Sequence, residues 1–174
     1  MLTEEETKLV NKTSRGKGAV GRNALVPKVV LKLAKDTGNM AKQEVIDFGA
    51  GKEAIHTKWL RKKGLNVEAH EIGDNSNYRI HNVCATLHPY DIVMASNILN
   101  VQPTYHALKE TLMELRCLTR PYGMLVCNYP AVPRKLPLNT EEMELILELI
   151  FHEVKPYITE DIPKCAHIYI CKGG

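Results

Sequence analysis

The sequence predicts a doubly wound α/β domain, and two observations support that prediction. Short apolar segments, EVIDFG, NVEAHEIG, YDIVMASN and GMLVCNY, alternate along the chain with stretches of helical periodicity. Such alternation requires a mostly parallel sheet with helices on both faces, connected by right-handed crossovers. The chain then ends in two short runs, VKPYIT and AHIYICK, which predict a C-terminal antiparallel β-hairpin.

Five helices have local start or stop signals. Thr3 and Glu6 form a capping-box pattern before a short first helix. Apolar residues at helical spacing predict helices over 24–35 and 53–63. A fourth helix is expected to begin at Pro103 and to end at the RPYG sequence, and a fifth begins at Asn139. The stretch between the second and third strands has no clear pattern, and any strand in it is expected to be short.

Length and composition fit one domain. The 174 residues are 44% hydrophobic and 25% charged, enough to bury a core and unlike a fibrous or disordered chain. We expect residues 24–174 to form the core and residues 1–23 to form a flexible basic N-terminal arm or lid. No apolar run is long enough for a membrane span and no signal peptide is recognisable, so we expect a cytoplasmic protein with no membrane partner.

The cysteines and histidines give no metal signature. Five cysteines and seven histidines are scattered, with no Cys-x-x-Cys pair. We therefore expect reduced thiols and no metal site.

The stretch EVIDFGAGKEA predicts a strand, a glycine turn and a helix that hold a ligand. It lacks the spacing and the Ser or Thr of a phosphate-binding P-loop. Gly49, Gly51 and Ala54, with Glu71 about twenty residues on, fit a dinucleotide fingerprint, which keeps a nicotinamide-dependent oxidoreductase open. Asp47 favours a cationic ligand instead, because a carboxylate near a pyrophosphate gains nothing.

Four segments in order resemble class I S-adenosylmethionine-dependent methyltransferases over residues 44–172. VIDFGAG is similar to their motif I, VEAHEI to their second strand, HPYDIVMASN to their fourth strand and LTRPYGMLVC to the helix end and fifth strand. The resemblance implies a Rossmann-like sheet and S-adenosyl-L-methionine as cofactor. Glu53 departs from the pattern, since many relatives have glycine there. The implied cofactor contacts are Asp47, Gly49, Ala50, Gly51, Glu71, Ile72, Ser96 and Asn97.

The residues that handle the acceptor are less clearly indicated. The Pro-Pro-aromatic tetrapeptide of amino-methylating nucleic-acid enzymes is missing, and the chain has no Pro-Cys dipeptide. ASNILNV is similar to a stretch in small methyltransferases of phage and restriction-linked genes. We expect Asn97 and Asn100 to orient an acceptor and Tyr129 to stack on it. The alternatives are that the asparagines close a turn and that the tyrosine packs in a loop.

Positive charge is concentrated near the N-terminus and after the glycine turn. A basic arm beside a cofactor site suits phosphate contacts, so DNA or RNA is the first candidate acceptor, with a small molecule or a protein as alternatives. A chain of this size would use the arm, a partner subunit or a homo-oligomer to bind nucleic acid. A cofactor-binding protein without catalysis is a further alternative. The cations concerned are Lys8, Lys12, Arg15, Lys17, Arg22, Lys28, Lys32, Lys35, Arg61, Lys62 and Lys63.

Overall fold

A six-stranded sheet is the centre of the computed structural model, which describes residues 1–14, 24–133, 135–160, 162 and 167–173. The strands lie in the order β2-β1-β3-β4-β6-β5, and the first four are parallel. β6 is antiparallel to both of its neighbours, which confirms the predicted C-terminal hairpin. The strands are β1 Glu44–Phe48, β2 Asn66–His70, β3 Tyr90–Ala95, β4 Thr119–Asn128, β5 Glu153–Pro156 and β6 Ile168–Lys172.

The helices cover both faces of the sheet, as the predicted fold class requires. They are α1 Glu4–Ser14, α2 Leu25–Asp36, α3 Ile55–Lys62, α4 Tyr105–Leu118 and α5 Thr140–Glu148. On one face, α2 and α3 pack on Val45, Val67 and Ile92. On the other face, α4 and α5 pack on the alternate strand residues, including Ile46 and Val93. The two apolar cores are therefore separated by the sheet, because successive strand side chains point to opposite faces.

The order of the strands indicates which edge of the sheet binds a ligand. The chain crosses from β1 to β2 on one side and then returns to place β3 on the other side of β1. In open parallel sheets, ligands bind beyond the carboxyl ends of the strands at such a reversal. The glycine turn after β1, residues 49–51, lies at this point.

The helices predicted to begin at Pro103 and Asn139 begin at Tyr105 and Thr140, and each has a side-chain cap. Thr104 accepts a hydrogen bond from the backbone N–H of Ala107 at the start of α4. Asn139 and Glu142 form a complete capping box at the start of α5. These bonds satisfy backbone donors that have no partner inside the helix.

Residues 4–14 differ from the expected mobile arm. They form α1, whose capping box joins Thr3 and Glu6 through bonds of 3.0 and 3.1 Å. Glu6, Val10 and Asn11 are buried in this helix, so it is packed on the body of the protein. The rest of the arm, with Arg15, Lys17 and Arg22, lies outside the described residues.

The RPYG sequence is also placed differently from the expectation. The turn predicted there is absorbed into β4, which begins directly after α4 and shifts register opposite Tyr90 and Ile92. Tyr122 takes a φ of 64° at this irregularity, and a Cβ on Gly123 would lie 3.0 Å from the Asp91 carbonyl oxygen. The glycine therefore permits a bulge in the strand where the sequence suggested a turn.

None of the described helices is both long and apolar enough to cross a bilayer.

Candidate functional site

The glycine turn after β1 has a backbone that requires glycine. Gly49 and Gly51 have φ values of 72° and 71°, which other residues rarely adopt. The backbone N–H groups of Gly49 and Ala50 both donate to the His70 carbonyl oxygen, at 3.0 and 2.9 Å. A Cβ on Gly49 would lie only 2.2 Å from Cδ1 of Ile98, whereas one on Gly51 would meet nothing within 4 Å. The turn is thus fixed to β2 on one side and open above Gly51.

Glu71 fixes the same turn from the end of β2. One carboxylate oxygen accepts from the Gly51 N–H at 2.7 Å and the other accepts from the Ile72 N–H at 2.9 Å. The side chain is buried, and burial raises the pKa of the carboxyl group. Each carboxylate oxygen has two lone pairs, so both keep acceptor capacity beside the turn. Two such acceptors suit a vicinal diol.

Asp47 has a different position from the one expected of a cofactor ligand. It is 1% exposed, and one of its carboxylate oxygens accepts from the Thr57 backbone N–H at 3.1 Å and the Thr57 hydroxyl at 2.7 Å. The N-cap residue of α3, Ala54, makes no side-chain cap hydrogen bond. Asp47 therefore supplies the missing acceptor for the first turn of α3. Burial raises the pKa of Asp47 to about 6.

Glu53 does not fill the space of the turn. Its side chain is exposed, and its carboxylate lies 3.9 Å from the Lys58 ammonium group. The departure from the family pattern thus leaves the turn open.

The asparagines after β3 divide into two environments. The Asn97 backbone N–H donates to the Asn128 side-chain oxygen at 2.7 Å, and the Asn128 amide donates back to the Asn97 side chain at 2.9 Å. Asn97 has a φ of 59°, so this pair closes the turn at which β3 ends. Ser96 is half-buried beside it. Asn100 is buried, and its side-chain oxygen has no hydrogen-bond partner among the described residues.

Tyr129 lies in the core and not at the open edge. It is 1% exposed, and its hydroxyl donates to the Leu138 carbonyl oxygen at 3.1 Å. Burial also raises the pKa of its hydroxyl. The structure therefore places this side chain where it packs the loop after β4, and not where a planar molecule would stack on it.

A cavity of about 560 Å³ opens beside the glycine turn, on the face of the sheet that carries α4. This volume is in the range of small-molecule sites. Its sheet wall consists of Phe48, Gly49, His70, Glu71 and Ile72. Asp47, Asn97, Asn100 and Tyr129 do not line it. Of the residues predicted to contact a cofactor, the cavity therefore brings together Gly49, Glu71 and Ile72.

The opposite wall was not foreseen from the sequence. The N-terminal segment and α1 contribute Met1, Leu2, Thr7 and Val10, and α4 contributes Glu110, Thr111, Met113, Glu114 and Cys117. Ile98, Val101 and Gln102 complete the lining. Most of these side chains are apolar or uncharged. The helical spacing of Glu110 and Glu114 was the one sequence signal for this wall, but the exposed face of any helix has the same pattern of charges.

A polar contact holds α1 against the start of α4. The Thr104 hydroxyl donates to the Glu6 carboxylate at 2.5 Å, and the His106 ring nitrogen lies 3.2 Å from the same group. These hydrogen bonds, with Thr104 the largest contributor, lower the pKa of Glu6 to about 2. The N-terminal amine of Met1 also pairs with Glu110. Polar contacts thus attach both α1 and the segment before it to α4, where they close the cavity.

Two buried polar atoms in the cavity wall have no hydrogen-bond partner among the described residues. They are the side-chain oxygen of Gln102 and Nδ1 of His70. Gln102 is 2% exposed and uses its amide group to donate to the Ile98 carbonyl at 3.0 Å. Burial lowers the pKa of His70, which favours the neutral ring. An unpaired buried polar atom is costly, so a ligand group that pairs with either atom would bind favourably.

No group of three or more His, Cys, Asp or Glu side chains in the described ranges could hold a metal ion.

No family model and no curated protein matches the sequence at a significant level. Solved structures do match the fold. Magnesium protoporphyrin IX methyltransferase from Synechocystis PCC 6803, with bound S-adenosylmethionine, is 15% identical with a TM-score of 0.61, over 98% of this chain and 97% of that chain. The chain has the fold of an S-adenosylmethionine-dependent methyltransferase.

Two further methyltransferases show the same fold. A Bacteroides fragilis S-adenosylmethionine-dependent methyltransferase in complex with S-adenosylhomocysteine is 13% identical, with a TM-score of 0.57 over 98% of this chain and 95% of that chain. The 1,6-didemethyltoxoflavin-N1-methyltransferase of Burkholderia thailandensis is 14% identical, with a TM-score of 0.58 over 87% and 80%. The methyltransferase fold and the helices on both faces confirm the predicted fold class.

Proposed function

We propose that this protein is an enzyme that transfers a methyl group from S-adenosylmethionine to a small, largely apolar acceptor. One observation carries the proposal. In a methyltransferase fold, a buried carboxylate, Glu71, is bonded to the glycine turn and lies in the wall of a cavity of about 560 Å³. This is where a cofactor with a ribose would meet two acceptor oxygens.

The residues of the turn fit the cofactor. A cofactor can approach the backbone of Gly49, Ala50 and Gly51 closely, because no side chain lies above Gly51. Glu71 would hold the ribose hydroxyls, and Ile72 would contact the adenine beside it. Ser96 and Asn97 lie at the same edge of the sheet and are proposed as further contacts. When bound, S-adenosylmethionine supplies an electrophilic methyl group on a sulfonium.

Asp47 is proposed to act through the turn. Its carboxylate joins the end of β1 to the first turn of α3 and so sets the direction of the chain through Gly49 and Gly51. A carboxylate buried at this depth also gives the cofactor's cationic end a favourable field.

The acceptor is proposed to be a small molecule because of the charge and polarity of the cavity. Glu71, Glu110 and Glu114 line it, and among the described residues no lysine or arginine does. Such a site repels phosphate groups and favours an uncharged or cationic acceptor. The Synechocystis and Burkholderia neighbours are named for methylation of a porphyrin and of a toxoflavin precursor, which are small molecules. Gln102, whose unpaired side-chain oxygen belongs to the cavity wall, is the residue proposed to orient the acceptor.

Isothermal titration with S-adenosylhomocysteine tests the cofactor, with NAD as the comparison ligand. We expect saturable binding of the first and none of the second. No binding of S-adenosylhomocysteine at millimolar concentration would overturn the proposal, and tighter binding of NAD would support an oxidoreductase.

The acceptor class is tested by incubating the protein with tritiated cofactor and fractionated lysate. Label is expected in the small-molecule fraction. Label in DNA or RNA would instead support the nucleic-acid acceptor, and absence of any transfer despite cofactor binding would indicate a protein that only binds the cofactor.

A further inference from the structure

A second cavity lies on the opposite face of the sheet, in the groove between α2 and α3. Its volume is about 420 Å³. Four lysines line it: Lys28, Lys32 and Lys35 from α2, and Lys63 from the residue after α3. All four are exposed, and none takes part in an ion pair within the described residues. Asp36 is the one acid that the described residues contribute to the lining.

The three α2 lysines form a row along one side of the groove. They are spaced by four and three residues, so they share one face of the helix and extend about 10 Å along it. The buried face of the same helix, which includes Val26, Val29 and Val30, packs on the sheet. The row is therefore held rigidly by the core. Its lysines form no ion pair within the described part of the chain, and Asp36 offsets only one of the positive charges of the groove.

Trp59 gives the groove an aromatic surface between these charges. It is half-buried in α3, packs in part against the core of that face, and also lines the groove. An aromatic face beside a row of cations is the combination that binds unpaired bases and the adjoining phosphates. In a duplex, the bases are already stacked and would not reach a recessed indole.

We propose that this groove binds single-stranded nucleic acid, with a base on Trp59 and phosphates on the lysines. The site is independent of the proposed methyl transfer, because the acidic cavity beside Glu71 lies on the other face of the sheet. It gives a role to four of the eleven concentrated cations, Lys28, Lys32, Lys35 and Lys63, without making nucleic acid the acceptor. The role of the groove is to attach the protein to single-stranded nucleic acid.

Trp59 is the single tryptophan of the chain, so its fluorescence reports on this groove directly. An oligothymidylate of about 20 nucleotides is the probe, titrated at several salt concentrations. We expect saturable quenching of the tryptophan and an affinity that falls as salt rises. In the variant Lys28→Ala/Lys32→Ala, the magnitude of the slope of log affinity against log salt is expected to decrease by about 1.4.

The matched control is Lys109→Ala/Lys135→Ala, which removes the same charge at exposed sites outside the groove. This control is expected to bind as the wild type does. All four substitutions are at exposed positions, so circular dichroism should show unchanged folding.

Three results would overturn the proposal. They are no binding of the oligonucleotide at low salt, an unchanged affinity and salt slope in Lys28→Ala/Lys32→Ala, and binding without a change in Trp59 fluorescence. Adsorption to anionic phosphatidylserine vesicles without oligonucleotide binding would assign the groove to a membrane surface instead and would equally overturn it. Titration with S-adenosylhomocysteine in parallel separates these outcomes from failure of the proposed function.

Discussion

Glu71→Gln is expected to weaken cofactor binding strongly while leaving the fold intact. Each carboxylate oxygen of Glu71 already accepts one backbone N–H, from Gly51 at 2.7 Å and from Ile72 at 2.9 Å. The remaining lone pairs would accept the two ribose hydroxyls. Glutamine has the same shape, but an NH₂ group that only donates replaces one of these oxygens.

The magnitude follows from the bonds that are lost. A hydrogen bond to a charged group contributes about 1.5–3 kcal/mol, and the substitution removes one such bond to the ribose. This corresponds to an increase in Kd of about 10- to 150-fold for S-adenosylhomocysteine. The NH₂ group also faces a backbone N–H, so we expect a modest loss of stability as well. Removing a charge that burial disfavours offsets part of that loss.

Isothermal titration with S-adenosylhomocysteine measures the effect, and Glu53→Gln is the matched control. Glu53 is beside the same turn and carries the same charge, but its side chain is exposed and makes only a 3.9 Å contact with Lys58. We expect the control to bind within about twofold of the wild type, since surface ion pairs contribute little. Unchanged affinity in Glu71→Gln, or an equal loss in both variants, would refute the assigned role of Glu71.

Three further predictions follow from the turn and from α1. Gly49→Ala is expected to cost about 1–2 kcal/mol of stability for the positive φ alone, and more for the clash of the new Cβ with Ile98. A second substitution, Ile98→Ala, should recover only the cost of that clash. Full recovery of stability in a denaturation assay would contradict this. Asp47→Asn is expected to remove a pH dependence of the stability. Burial raises the pKa of Asp47 from 3.8 to about 6, so wild-type stability falls by up to about 3 kcal/mol as the pH rises through that interval. The stability of the variant should not change over the same interval, as measured by denaturation. Glu6→Gln is expected to accelerate amide exchange in α1 but not in β1, because it weakens the contact with Thr104 and His106; equal acceleration in both would show that the contact supports the whole fold. The lowered pKa of Glu6, about 2, also predicts that acid loosens α1 in the wild type as pH falls from 4.5 towards 2, with the variant insensitive.

Local signals in the sequence were enough to predict the sheet and its helices. The strand beginning at Glu44 and the helices beginning after Thr104 and Asn139 have apolar patterns and caps that depend only on neighbouring residues. Gly49 and Glu71 were also predictable, because a turn and a strand-end acid have recognisable chemistry. They are the part of the site that the cavity brings together.

The remaining features depend on contacts between distant residues. Glu6 meets Thr104 across 98 positions, so the sequence near Glu6 shows a helix cap but not the docking of that helix. Asp47 is bonded to Thr57, and a sequence pattern does not distinguish a carboxylate that caps a helix from one that contacts a ligand.

Tyr129 illustrates the same difficulty for the acceptor site. A tyrosine after a strand can stack on a substrate or pack in the core, and the choice depends on the bond to Leu138 in a later loop. The RPYG sequence is a turn by its composition, but pairing with β3 extends it into a strand.

A crystal structure with S-adenosylhomocysteine tests the central claim most directly. We predict density in the cavity between the sheet and α1, with the ribose hydroxyls within hydrogen-bond distance of the Glu71 carboxylate and the methionine end beside Gly49 and Gly51. A cofactor bound away from Glu71, or crystals that take up none at saturating concentration, would contradict the proposed function.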